Sequence, residues 1–283
     1  MRPEYDRTAG RDGFVSFECT PDLADNAEGT IAQARELWER LDQPNVMIKV
    51  PGTIAGLVAI EELTRLGINV NVTLLFSVNR YEQVIDAYIR GLVGRAEDGG
   101  RVDTISSVAS FFLLRIDTKV DQGLPVSSPL RGQAAIASAR VAYERHLTKF
   151  SGPEWTRLEG AKRQRLLWAS TETENPSYSD VRYVSELVGP DVVNTMPEPT
   201  LRAFAEHGRV EATLVAERGA ADGTLAELVA AGVDLEAAAA ELEREGVQSF
   251  CGAYNELLGC IESKVDPVTS PHVVHGPTPS RAQ

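Results

Sequence analysis

Residues Pro44–Ser77 read PNVMIKVPGTIAGLVAIEELTRLGINVNVTLLFS. Val46–Val50 is a short apolar run rich in β-formers, and Pro51-Gly52 interrupts it. From Thr53 the period changes, with Leu57, Ile60, Leu63 and Leu66 recurring at helical spacing. Thr53 stands where an N-cap hydroxyl belongs, and Gly67 where a left-handed stop belongs. Asn69–Thr73 then returns to strand. The segment is therefore a strand–helix–strand unit, and its strands are apolar on both faces, as parallel strands covered by helices are.

The same alternation extends in both directions. Phe14–Glu18, Ser107–Phe112, Leu166–Ser170 and Asp191–Thr195 read as further strands, giving six. Helical periodicity covers Thr30–Leu41, Tyr81–Leu92, Gly132–Phe150, Ser179–Leu187 and Glu198–His207, and Thr224 to about Lys264 is helix after helix. Alternating units of this kind predict a parallel α/β fold. Residues 1–13 form a polar N-terminal segment, 14–265 a single domain, and the Pro/Ser/Thr-rich stretch Asp266–Gln283 is expected to be a disordered tail.

The 283 residues, 43% hydrophobic and 24% charged, suffice for a large core and exclude global disorder. No apolar run reaches the roughly 20 residues that cross a bilayer, and the N-terminus lacks a signal-peptide apolar region. The net charge of −13 argues against nucleic acid or an anionic membrane as partner. Three cysteines, none closely paired, suit reduced thiols and a cytoplasmic location. No GxGxxG follows the first strand and no GxxxxGK[ST] occurs, so dinucleotide and P-loop sites are not expected. Asn71-Val72-Thr73 matches a glycosylation sequon, but a buried strand cannot carry a glycan.

Lys49 is out of place. Only five lysines stand among 28 basic residues, and four of them lie in polar surroundings. Lys49 ends an apolar strand and is followed at once by a turn and a helix. Burial disfavours the ammonium form, and a neutral amine can attack a carbonyl to form a Schiff base. In parallel α/β barrels, reactive groups gather at this end of the strands. A strand-end lysine paired with a neighbouring carboxylate fits the spacing equally well.

Pro44–Ser77 resembles the transaldolase family closely, above all in Ile68–Ser77, INVNVTLLFS. Three further blocks extend the likeness: Ser107–Asp121 (SVASFFLLRIDTKVD), Leu167–Asp180 (LWASTETENPSYSD) and Val192–Leu201 (VVNTMPEPTL). The resemblance runs from about Gly13 to Leu258 and is strongest to the actinobacterial branch. It implies a TIM-type (β/α)8 barrel, here incomplete at about six recognisable strands and with a helical C-terminal end. It also implies transfer of a dihydroxyacetone unit between phosphorylated sugars through a lysine Schiff base, with no metal and no cofactor.

Residue by residue, Lys49 corresponds to the Schiff-base lysine and Glu18 to the glutamate that positions a catalytic water; a strand-end structural carboxylate is the alternative for Glu18. Asn71 and Thr73 alternate with Val70 and Val72, so both share a face, as substrate-site or merely structural polar groups. Thr73 joins the catalytic set by its match. Ser110, Phe112 and Arg115 match the block that lines the sugar site and holds phosphate, which suits the planar guanidinium. Arg115 could instead pair with Asp117. Ser170 corresponds to a contribution from the next strand end.

Two departures qualify the resemblance. Relatives read S-T-G-x-K-[ND]-P where this chain has Ser170-Thr171-Glu172-Thr173-Glu174-Asn175-Pro176, so a glycine is Glu172 and a lysine is Glu174. A unit charge pair at 4 Å is worth roughly 4 kcal/mol at an effective dielectric of 20, so a reversed charge could offset a phosphate contact if Glu174 faces it. A solvated loop charge is the other reading. The family also has an earlier strand bearing an aspartate acid/base and a T-[ST]-N-P strand, neither of which precedes Phe14. A barrel short of two strands exposes sheet edges, which a homodimer could cover, and slow turnover is the expected consequence. Three functions stay open on the sequence: a transferase of sugar phosphates in the pentose phosphate route or unusual-sugar metabolism, an aldolase releasing dihydroxyacetone, and an impaired homologue that binds sugars or a partner protein.

Overall fold

The computed structural model describes residues 1–216 and 218–269. Among them, six strands form one parallel sheet in chain order: β1 (Val15–Glu18), β2 (Val46–Pro51), β3 (Val70–Leu75), β4 (Ser107–Phe112), β5 (Arg165–Ala169) and β6 (Val192–Asn194). The helices are α1 (Arg2–Arg7), α2 (Ala27–Leu41), α3 (Ile54–Leu66), α4 (Val78–Glu97), α5 (Leu114–Gly123), α6 (Ala134–Lys149), α7 (Arg182–Ser185), α8 (Glu198–His207), α9 (Thr213–Ala216), α10 (Arg218–Ala230) and α11 (Leu235–Thr269). No helix among the described residues is long and apolar enough to cross a membrane.

Local chemistry sets the βαβ unit as expected. The Thr53 hydroxyl accepts the Gly56 N–H at 3.0 Å and donates to the Ala24 carbonyl, capping α3 and tying it to the preceding turn. Gly67 ends the helix at φ +90°. Gly56 has no substitute, because a Cβ there would meet the Pro51 carbonyl oxygen at 1.9 Å.

Alternation then divides the sheet into two faces. Ile48, Val50, Val72, Ala109, Phe111 and Trp168 point outward and are buried in one apolar cluster with Ile60, Leu63, Tyr81 and Tyr88, under α2, α3 and α4. Met47, Val108, Leu167 and Ala169 form a separate apolar cluster on the inner face, with Phe14, Phe112 and Val193 against it. That cluster is the floor of a concave interior, as a barrel fold requires. The barrel is not closed: β1 and β6 are the two edges of the sheet and do not pair with each other. On β1 every residue is exposed, and the outward Val15 and Phe17 keep 46% and 48% of their surface.

Several elements differ from their sequence-based bounds: α2 and α4 start three residues early, α4 runs on to Glu97, and α5 was not expected. The helix expected at Ser179–Leu187 contracts to Arg182–Ser185, because Thr173, Asn175 and Ser179 side chains bond to the loop backbone and compete with helical pairing. The polar start forms α1, with Pro3 in its first turn and Glu4 paired to Arg7. The last helix runs on through Asp266 to Thr269; the rest of the expected tail, 270–283, lies outside the described residues.

Candidate active site

Lys49 and Glu18 stand opposite each other in the β1–β2 register, at the C-terminal ends of their strands. Their side chains form an ion pair between Nζ and Oε1, and the lysine is three-quarters buried while the glutamate is more open. This pairing alone fits either reading of Lys49. Its surroundings add a small space next to the pair. A space of about 40 Å³, room for one water, lies beside the amine, and Glu18, Cys19, Thr73, Leu74 and Phe250 help to enclose it. The Thr73 hydroxyl is buried there without a hydrogen-bond partner among the described residues, an orphan that a bound hydroxyl or water would satisfy.

Thr73 owes its position to a break in β3. The register slips between Val72 and Leu75, and Leu74 adopts φ +58°, a conformation that a leucine reaches only when its surroundings enforce it. Leu74 packs on Gly246 of α11, where a Cβ would approach it to 2.9 Å. The bulge thus leaves Asn71 and Thr73 on the inner face and turns Leu74 toward the last helix. From that helix Phe250 reaches back, with Lys49 Nζ 5.8 Å from its ring centroid.

Asn71 lies beside Lys49 in the register. Its amide donates to Ser16 Oγ at 2.8 Å, and its oxygen accepts from Ser110 Oγ at 2.9 Å. Phe112 ends β4 and packs its ring against Phe76 at 5.2 Å. Arg115 follows in the first turn of α5, exposed, with no ion pair among the described residues. The alternative of a surface pair with Asp117 is overturned. Asp117 is buried and accepts from the Ala135 N–H at 2.8 Å and the Tyr183 hydroxyl at 2.7 Å. Burial pushes its pKa up to about 6. A free guanidinium next to a helix N-terminus is a natural place for an anion.

Ser170 directly follows β5 at φ +52°, and its carbonyl accepts the Leu114 N–H at 3.1 Å, joining this strand end to the start of α5. The loop after it carries Glu172, half-buried, and Glu174, exposed; neither is in an ion pair among the described residues. Tyr178 anchors the loop by donating to Asp121 at 2.7 Å.

Lys49, Glu18 and Thr73 therefore share one small space, Asn71 and Ser110 share one network, and Arg115 and Ser170 meet at the α5 N-terminus. Sequence reasoning missed Ser16, Cys19 and Phe250. Ser16 had a signal, since alternation places it on the face of Phe14 and Glu18. Phe250 had none, because only the packing of α11 brings it to Lys49. Burial raises the Cys19 thiol to about 12, which leaves it an inert wall.

The comparisons with known proteins agree with this geometry. A profile of the family described as Transaldolase/Fructose-6-phosphate aldolase matches residues 4–261. The chain is 47% identical over 273 residues to a transaldolase of Frankia alni, covering 94% of this chain and 74% of that protein. It is 47% identical to a transaldolase of Thiobacillus denitrificans over 92% of this chain and 75% of the relative. A Mycolicibacterium smegmatis transaldolase is 45% identical over 94% of this chain and 74% of its own. With its parallel β/α sheet and its lysine at a strand end, the chain belongs to the transaldolase/fructose-6-phosphate aldolase family.

Proposed function

We propose that the chain is a transaldolase-type transferase in which Lys49 forms the Schiff base with a ketose phosphate. The observation that carries this reading is the Lys49–Glu18 pair beside the unpartnered Thr73 hydroxyl. Once Glu18 takes a proton from their ion pair, the Lys49 amine adds to the ketose carbonyl and water leaves, giving an iminium. Cleavage of the adjacent carbon–carbon bond sends its electron pair into the iminium, while the neighbouring hydroxyl loses its proton and departs as an aldehyde. The enamine left on Lys49 then attacks the carbonyl of an acceptor aldose, and hydrolysis restores the amine. Glu18 and Thr73, through one water between them, carry the protons these steps need. Asn71 and Ser110 hold hydroxyls of the three-carbon unit, Phe112 lines it, Ser170 contributes at the neighbouring rim, and Arg115 takes the phosphate.

The exposed outer face of β1, with Val15 and Phe17, is covered in this reading by a second copy of the chain. The acidic charge and the three free cysteines fit a cytoplasmic enzyme of small phosphorylated sugars rather than a nucleic-acid binder.

The test is to incubate the protein with fructose 6-phosphate, reduce with borohydride and map the modified peptide by mass spectrometry. An adduct on Lys49, lost in Lys49→Ala, is expected. No adduct with any ketose donor overturns the proposal. Adding erythrose 4-phosphate distinguishes transfer from simple cleavage, and no transfer alongside a Lys49 adduct favours the aldolase.

A further inference from the structure

We infer that Ser16 is a positioning residue of the active site: it holds the Asn71 carboxamide from the side opposite Ser110 and so fixes the plane in which that amide meets the substrate. The inference rests on the reading of Lys49 and Asn71 given above and adds to it a residue outside the family motifs that carried the resemblance.

A carboxamide has two N–H donors and one oxygen with two lone pairs. In Asn71 one N–H goes to Ser16 Oγ at 2.8 Å, and the oxygen receives the Ser110 hydroxyl at 2.9 Å. The partners stand on β1 and β4, on either side of β3 in the sheet, so the amide is gripped from both directions across the concave interior. The last torsion of an asparagine is broad and roughly two-fold, so an amide held at one end only would swing. Among the described residues no other side chain accepts from the Asn71 amide. The inner-face neighbours toward the floor, Met47 and Val108, are apolar, and the Lys49 amine above is engaged by Glu18. With both grips in place, one N–H and one lone pair of Asn71 remain for a substrate hydroxyl, in a fixed direction.

Asn71 and Ser110 are 6% and 3% exposed, whereas Ser16 lies on the exposed strand β1. Removing its hydroxyl therefore leaves no cavity in a packed core, which makes the substitution a clean probe.

The experiment measures kcat and KM for transfer from fructose 6-phosphate to erythrose 4-phosphate, together with borohydride trapping on Lys49 and thermal melting. Ser16→Ala is expected to lower kcat/KM roughly 3- to 10-fold, the size of one lost hydrogen bond, with the melting temperature unchanged and the adduct still on Lys49. Ser16→Thr, which keeps the hydroxyl, restores most of the loss. In an Asn71→Ala background, Ser16→Ala has no further effect, because the group it positions is gone. Parent-like kcat/KM in Ser16→Ala, or an equal fold loss in the Asn71→Ala background, overturns the inference. A parent protein that gives no Lys49 adduct overturns the site reading instead, and the two failures are thereby distinguishable.

Discussion

β3 and β1 each send two polar side chains into the concave interior, Asn71 and Thr73 from one, Ser16 and Glu18 from the other. The strands themselves are built differently. All six residues of β3 are buried, between helices on one side and the interior on the other. All four of β1 are exposed, and Val15 and Phe17 keep about half of their surface open, Phe17 at a groove shared with Leu37 of α2 and Leu257 of α11. Lys49 lies on β2, between the two, and takes its ion pair from the open side and its amide neighbour from the closed side. The fold is thus secured by one half of the sheet while the chemistry is shared with the other. Substitutions on the two strands should separate accordingly.

The largest contrast is in stability. Leu75→Ala on β3 removes a fully buried side chain and should cost about 2–5 kcal/mol in urea unfolding. Phe17→Ser should cost the monomer only about 1–2 kcal/mol, since about half of its side chain is already exposed. If a second copy covers β1, the same Phe17→Ser substitution should halve the mass in light scattering. A cost of several kcal/mol for Phe17→Ser without a change of mass would show that β1 is packed within its own chain.

In activity the strands should converge. Glu18→Gln keeps the size and loses the carboxylate, so proton transfer should slow by about 10²-fold or more while the Lys49 adduct still forms. Loss of the adduct along with turnover would mean that Glu18 holds Lys49 in place rather than moving protons, and the open strand would then be structural after all.

The contrast also explains how much was readable in advance. Six strands and the α3 caps followed from period and turn chemistry, which are local and which the buried half obeys. Lys49 and Asn71 were legible as polar residues in apolar strands, while Ser110 was legible only through the resemblance of its block to the family. The β3 bulge was not legible: Val70 to Leu75 reads as uniform alternation, and only the approach of α11 at Gly246 reveals why Leu74 turns away. Arg115 and Asp117 looked like neighbours able to pair. Two residues apart on a helix they point in different directions, and Asp117 is drawn inward by the Ala135 N–H and the Tyr183 hydroxyl. Phe250 comes from a helix far along the chain, and its place over Lys49 is a matter of tertiary packing alone.

A last expected effect lies wholly in the closed half and sharpens the comparison through pH. Asp117 and His146 are both buried behind the sheet. Burial, with the nearby Arg163 guanidinium adding to it, pushes His146 down to about 4 from its ordinary 6.5, and its Nδ1 meets the Tyr81 hydroxyl at 3.0 Å. Burial raises Asp117 to about 6 from 3.8, against the opposing pull of its two hydrogen bonds. The lowered histidine contributes stability that is full above pH 6.5 and is withdrawn as pH falls toward 4. The raised aspartate contributes stability that is full below pH 3.8 and is lost as pH rises through 6. Each swing is worth about 3 kcal/mol, and the two oppose each other over the same window, so they nearly cancel in the parent protein. Asp117→Asn should therefore make stability fall steeply as pH drops from 6 to 4, and His146→Gln should make it rise, each measured by urea unfolding at several pH values against the parent. Three parallel curves would mean that neither group is desolvated in solution, and the closed half would be more open to water than its packing indicates.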